Sequence, residues 1–228
     1  MCGRYSTTLP PEQIGRLFGA HGPLPNFPPR YNLAPTQPAP VVRFNPQTGR
    51  RQIDLLRWGL IPSWAKDPKI GHTLINARAE TIAIKPAFKT AFAKGRRCLV
   101  AADGFYEWKK TDRGPKQPWR IAMKSGAPFA FAGLWENWKD PTGSWVRTFT
   151  IVTTEANTLM RPIHDRMPVI IAPEHFAHWL GERDASPEFL LGLCAPYPAD
   201  EMTAYPVSTR VNSPSVDDPD LIKSLAEF

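Results

Sequence analysis

Arg97-Cys98-Leu99-Val100-Ala101-Ala102-Asp103-Gly104-Phe105-Tyr106-Glu107-Trp108-Lys109 decides the fold, because it sets two apolar and aromatic strand-like runs on either side of one Asp-Gly turn. Residues 97–101 and 105–109 are too short for helices and rich in β-formers. Downstream, 119–123, 129–134, 149–153 and 169–171 have the same character, and upstream so do 41–44 and 53–60. Helical signals are fewer. Pro10-Pro11-Glu12 followed by Ile14, Leu17 and Phe18 ends at Gly19, and 86–93, 173–180 and 187–193 each open on proline. Strands that outnumber helices without alternating with them predict an α+β fold, a curved, mainly antiparallel and barrel-like sheet flanked by short helices. The prolines of 22–40 predict a coil that wraps the surface rather than entering a sheet.

With 228 residues, 42% hydrophobic, and no linker-like composition, residues 1–228 read as one domain, with 217–228 expected as a loosely docked tail. No apolar run reaches the length of a membrane helix, and Met1-Cys2-Gly3-Arg4-Tyr5 does not open a secretory signal, so a cytoplasmic monomer is expected. Cys2, Cys98 and Cys194 are odd in number and widely spaced, which predicts free thiols. A net charge of +7 favours an anionic partner.

Chemistry concentrates in a few places. Removal of Met1 would expose Cys2 as a terminal residue carrying an amine and a thiol on adjacent carbons, both with a nucleophilic fraction near neutrality. An aldehyde meets both groups: the amine forms a Schiff base and the thiolate closes a thiazolidine. Gly3, lacking Cβ, permits close approach beside it. Asn76-Ala77-Arg78-Ala79-Glu80 gathers an amide, a guanidinium and a carboxylate, although Asn76 reads equally as a helix cap. Strand alternation puts Glu107 on the face of Phe105, so a core-facing Phe105 would desolvate the carboxyl and raise its pKa. His164 stands beside Asp165 and Arg166 and suits proton transfer. His175 and His178 have no companion ligands, and neither metal nor cofactor is expected. Arg4, Arg78, Arg96, Arg97 and Arg166 are candidates for phosphates; Trp58, Trp64 and Tyr31 are candidates for stacking on bases.

Six blocks occur together and in order: Met1-Cys2-Gly3-Arg4, Tyr31-Asn32-Leu33-Ala34-Pro35, Trp58-Gly59-Leu60-Ile61-Pro62, Ile75 to Glu80, Asp103 to Trp108, and Ile163-His164-Asp165-Arg166-Met167-Pro168. This set closely resembles the SOS response-associated peptidase (SRAP) family. The resemblance implies a single-domain protein that senses abasic sites in single-stranded DNA during the DNA damage response. It implies a covalent thiazolidine cross-link through Cys2 that shields the lesion, and a peptidase activity of the chain that removes its own Met1. Cys2 matches the nucleophile, Asn76 the active-site asparagine, Glu107 the acid/base carboxylate and His164 the catalytic histidine. Arg4, Arg78 and Arg166 match DNA-phosphate positions, Pro35 and Trp64 match residues near splayed bases, and Thr153 matches a further site contact. Ala65 departs from relatives that carry a second Trp there.

Two rivals remain. N-terminal-nucleophile amidotransferases also begin Met-Cys-Gly, but this chain has no Asn-Gly pair, and Arg113-Gly114-Pro115 leads to Lys116 rather than aspartate. A basic single-strand-binding module would need no Cys2 at all.

Overall fold

The computed structural model describes residues 2–227. Its strands are β1 (Tyr5–Thr7), β2 (Arg30–Leu33), β3 (Pro38–Asn45), β4 (Arg50–Trp58), β5 (Asn76–Arg78), β6 (Arg97–Ala102), β7 (Gly104–Lys109), β8 (Gln117–Met123), β9 (Phe129–Lys139), β10 (Trp145–Glu155), β11 (Arg166–Pro168), β12 (Ile170–Ile171) and β13 (Met202–Pro206). The helices are α1 (Pro11–Phe18), α2 (Lys89–Ala93), α3 (Phe176–Leu180) and α4 (Pro187–Gly192).

Strands β10, β4, β3, β6 and β9 pair in that order, and β9 returns to β10, closing a five-stranded barrel. Its pairs are antiparallel except β10 with β4; β5 also joins β10 in parallel. A second, antiparallel sheet runs β13-β8-β7-β1-β2. This is the α+β, mainly antiparallel architecture expected from the strand-rich sequence.

Barrel strands are apolar on both faces because both are covered. Val41, Val100, Phe131 and Ile151 pack on one side with Tyr5, Phe105 and Ile121 of the second sheet. Their neighbours Val42, Leu99, Ala132 and Val152 pack with Ile14, Phe92, Phe176 and Trp179 from the helices. Tyr5 meets Trp58 and Phe131 edge-on, with ring centroids 5.2 and 5.7 Å apart.

The glycine stops behave as expected at two helices: Gly19 and Gly181 adopt left-handed φ of 62° and 81° as caps. Other boundaries moved. Helix α2 begins at Lys89 rather than residue 86, and 173–175 is a 3-10 turn ahead of α3. The proline-rich segment does enter both sheets, through β2 and the start of β3. Pro38 and Pro40 are tolerated because β3 meets β6 only at Val41 and Val42, leaving the proline end paired on one side alone.

The segment from Asp217 is anchored rather than loose through residue 222. Asp217 accepts from the Tyr31 and Asn32 amides at 2.6 and 2.9 Å and pairs with Arg30; Leu221 is fully buried. No helix among the described residues is long and apolar enough to cross a membrane.

Candidate active site

Strand β1 delivers the N-terminal segment to the site. Tyr5 pairs with Phe105, and the Tyr106 amide donates to the Arg4 carbonyl at 3.0 Å, so Cys2-Gly3-Arg4 runs out beside β7. The spacing of that pair depends on Gly104. A Cβ there would stand 2.5 Å from the Arg120 guanidinium, which itself bonds Asp103 and the Ser6 hydroxyl.

In the full chain the Cys2 thiol is completely buried, not exposed. Burial pushes its pKa up, the Glu107 carboxylate adds to the effect, and Sγ makes only a 3.8 Å contact with the Arg4 carbonyl. The thiol is thus protonated at neutral pH until something takes its proton. Glu107 is the nearby group with the matching property. It shares the buried face of Phe105 as the alternation predicted, and burial pushes its pKa up to about 7.

His164 is partly buried, and burial lowers its pKa. Its Nδ1 lies 3.0 Å from the Arg166 amide nitrogen and 2.9 Å from Asp165 Oδ1. Asp165 acts electrostatically on Glu107, and Lys116 acts on both Glu107 and His164, which places these groups around one centre.

Asn76 is not a helix cap. It opens β5 opposite Ile151, which packs in the same apolar cluster as Cys2. The Ile75 carbonyl accepts from Trp58 Nε1 at 2.9 Å, Asn76 Nδ2 at 3.0 Å and the Ile151 amide at 3.1 Å. That arrangement fixes the carboxamide and leaves Asn76 Oδ1 buried, with no hydrogen-bond partner among the described residues.

The arginines divide. Arg78 is exposed and pairs in register with Thr153. Arg166 makes a two-pronged bond to Glu80 and donates to the Thr153 carbonyl at 2.7 Å. Arg4 is held by Asn32 Oδ1 and the Val211 carbonyl, each at 2.7 Å, with its guanidinium over Trp108. Arg97 is structural: it is buried and bonds the carbonyls of Trp179 and Phe92. Arg96 pairs with the buried Glu136.

Of the stacking candidates, Trp64 is 58% exposed, whereas Trp58 is wholly buried and is a core residue. Tyr31 is partly buried. Pro35 stands on a turn beside Thr36, whose φ of 73° is unusual for a β-branched residue. Thr153 is buried at the junction of β5, β10 and β11. Among the described residues no cluster of three or more His, Cys, Asp and Glu is placed to hold a metal.

Two groups escaped the sequence reading. Asn32 and Asp217 hold the Arg4 region through partners far along the chain, for which the sequence carries no local signal. Lys110, Lys116 and Arg161 line a cavity of about 430 Å³ with Trp108, His164 and Asp165. The run Lys109-Lys110 with Arg113 and Lys116 was its only visible trace.

The SOS response associated peptidase (SRAP) family profile matches residues 1–214. Abasic site processing protein YoqW of Bacillus subtilis (strain 168) is 46% identical over 226 residues, covering 98% of this chain and 100% of the relative. Abasic site processing protein HMCES of Xenopus tropicalis is 31% identical over 266 residues, covering 99% of this chain and 78% of the relative. A crystal structure of a Bacteroides thetaiotaomicron protein superposes with a TM-score of 0.87 at 27% identity, covering 98% of this chain and 99% of that one. With the profile spanning nearly the whole chain and a relative 46% identical along its full length, this protein belongs to the SRAP family.

Proposed function

We propose that this protein senses abasic sites in single-stranded DNA and bonds to them covalently through Cys2 once Met1 has been removed. The observation that carries the reading is a buried carboxyl, Glu107, with a pKa near 7, acting on a buried thiol at the second residue. That its relatives are abasic site processing proteins supports an abasic site as the substrate.

Removal of Met1 is hydrolysis of the Met1–Cys2 peptide bond, which frees the Cys2 amine. The opened deoxyribose presents an aldehyde; the amine adds to it and water leaves, giving an imine. Glu107, as carboxylate, takes the thiol proton, sulfur attacks the imine carbon, and the proton passes to the nitrogen. The net change is aminothiol plus aldehyde giving thiazolidine plus water. His164, whose pKa burial lowers, assists ring opening of the sugar, and Asn76 Oδ1 accepts from the freed amine. Arg4, Arg78, Arg166 and Thr153 receive the DNA backbone, with Pro35 and Trp64 against flanking bases. Closing the ring removes the imine that would otherwise promote strand cleavage, so the lesion is protected.

The test is a denaturing gel of protein mixed with single-stranded DNA bearing one abasic site. A stable conjugate is expected from the wild type and none from Cys2→Ala. Equal yield from the variant, or glutamine hydrolysis in place of a conjugate, refutes the reading.

A further inference from the structure

The cavity at His164 has a chemistry that the proposed cross-linking does not use. Two loops face each other across it. The connection from β7 to β8 brings Lys110 and Lys116, and the turn before β11 brings Arg161, His164 and Asp165; Trp108 forms the wall between them. Three cations thus meet one carboxylate, and that carboxylate, on Asp165, lies 87% exposed beside His164 Nδ1 at 2.9 Å. Lys110, Lys116 and Arg161 are exposed, and no ion pair ties up any of them among the described residues.

The walls and Arg161 are held in place, while the two lysines carry no ion pair among the described residues. Trp108 Nε1 donates to Asn212 Oδ1 at 2.7 Å, Arg161 Nε bonds the Ala156 carbonyl at 3.3 Å, and Pro162 precedes the buried Ile163. By contrast, neighbouring Lys109 lies over Trp119, away from the group, and Arg166 is spent on Glu80 and Thr153. The cavity shares no lining residue with the Arg78, Glu80 and Arg166 group.

We infer that this cavity is a subsite for one phosphodiester of the bound strand, the one adjoining the sugar that reacts with Cys2, with Lys110, Lys116 and Arg161 as its ligands. The inference rests on the function proposed above. A strand whose abasic sugar sits at Cys2 and Glu107 carries a phosphodiester one bond beyond that sugar, and His164 belongs to both places. Two exposed ammonium groups and a guanidinium at a fixed wall neutralise a backbone charge without reading a base, which suits a lesion that has none.

The experiment uses the full-length wild-type chain and a single strand carrying a tetrahydrofuran abasic analogue, which binds without reacting. Affinity is measured by anisotropy across a salt series. The triple variant Lys110→Gln, Lys116→Gln, Arg161→Gln should lower the slope of log affinity against log salt by roughly 0.7, the value for one phosphate on a single strand. A methylphosphonate at the linkage next to the analogue should lower the wild-type slope equally and leave the triple variant unchanged. An unchanged slope in the variant, or losses from variant and methylphosphonate that simply add, overturns the assignment. Since all three side chains are exposed, unaltered thermal unfolding is expected, and Lys116→Arg alone, which keeps the charge, should keep the wild-type slope. Should the wild type form its covalent conjugate while the salt slopes do not respond, only the subsite fails; absence of any conjugate is the failure of the cross-linking itself.

Discussion

Arg4 and Asn32 meet side chain to side chain at 2.7 Å, and both also bond the Val211 carbonyl. Asn32 Nδ2 further reaches the carbonyls of Ser213 and Val216 at 2.9 and 2.6 Å. One fully buried carboxamide therefore ties the segment leaving Cys2 to the strap that closes the C-terminal part of the chain.

Asn32→Ala is expected to cost about 3 kcal/mol, because the carbonyls and the Arg4 guanidinium lose a buried partner together. Urea unfolding measures the loss, and hydrogen exchange should quicken at 211–217. A change below 1 kcal/mol would show that the strap is held elsewhere.

Glu107 makes stability depend on pH with a definite sign. Its carboxyl holds a proton in the folded chain up to about pH 7 that the unfolded chain releases near its ordinary value of 4.5. Stability therefore falls as pH rises through that window, by roughly 3 kcal/mol in total, and levels off above it. Glu107→Gln should abolish the slope and unfold at higher urea than the wild type at pH 8. The same variant should lose the rise in cross-linking rate near pH 7.

Trp64, at 58% exposure, offers an aromatic face at little cost to the fold. Trp64→Ala should change stability by under about 0.5 kcal/mol and weaken single-strand binding by roughly 1–3 kcal/mol. Parallel thermal unfolding and anisotropy titrations separate the two effects.

Glu80 holds Arg166, and the Arg166 bond keeps the Glu80 carboxyl below its usual range. The carboxylate is 54% exposed, so the pair stabilises little. Glu80→Gln should shift stability by less than about 1 kcal/mol and tighten single-strand binding by releasing the guanidinium to a phosphate. Weaker binding in that variant would mean that the pair itself orients Arg166 toward DNA.

The long barrel strands were legible because their β-branched and aromatic runs declare themselves locally. Tyr5–Thr7 and Asn76–Arg78 were not, since strands of three residues exist only through their partners, Phe105 and Gly104 for one and the centre of β10 for the other. Glu107 was legible from alternation with Phe105, whereas nothing local told Trp58 from Trp64; burial separates them. The arginines were harder still. Separations of 28 positions from Arg4 to Asn32 and 86 from Glu80 to Arg166 hide their partners from any local pattern.

The parallel seam of β10 with β5 has a consequence in time. Cys2 precedes Asn76 in the chain, yet Asn76 has no strand to join until β10 has been synthesised, and His164 follows later still. Contacts so distant in sequence form late in folding. Under the function proposed above, the nucleophile would thus be made before its helpers, and a nascent chain would meet a stray aldehyde without the groups that speed the reaction in the folded protein.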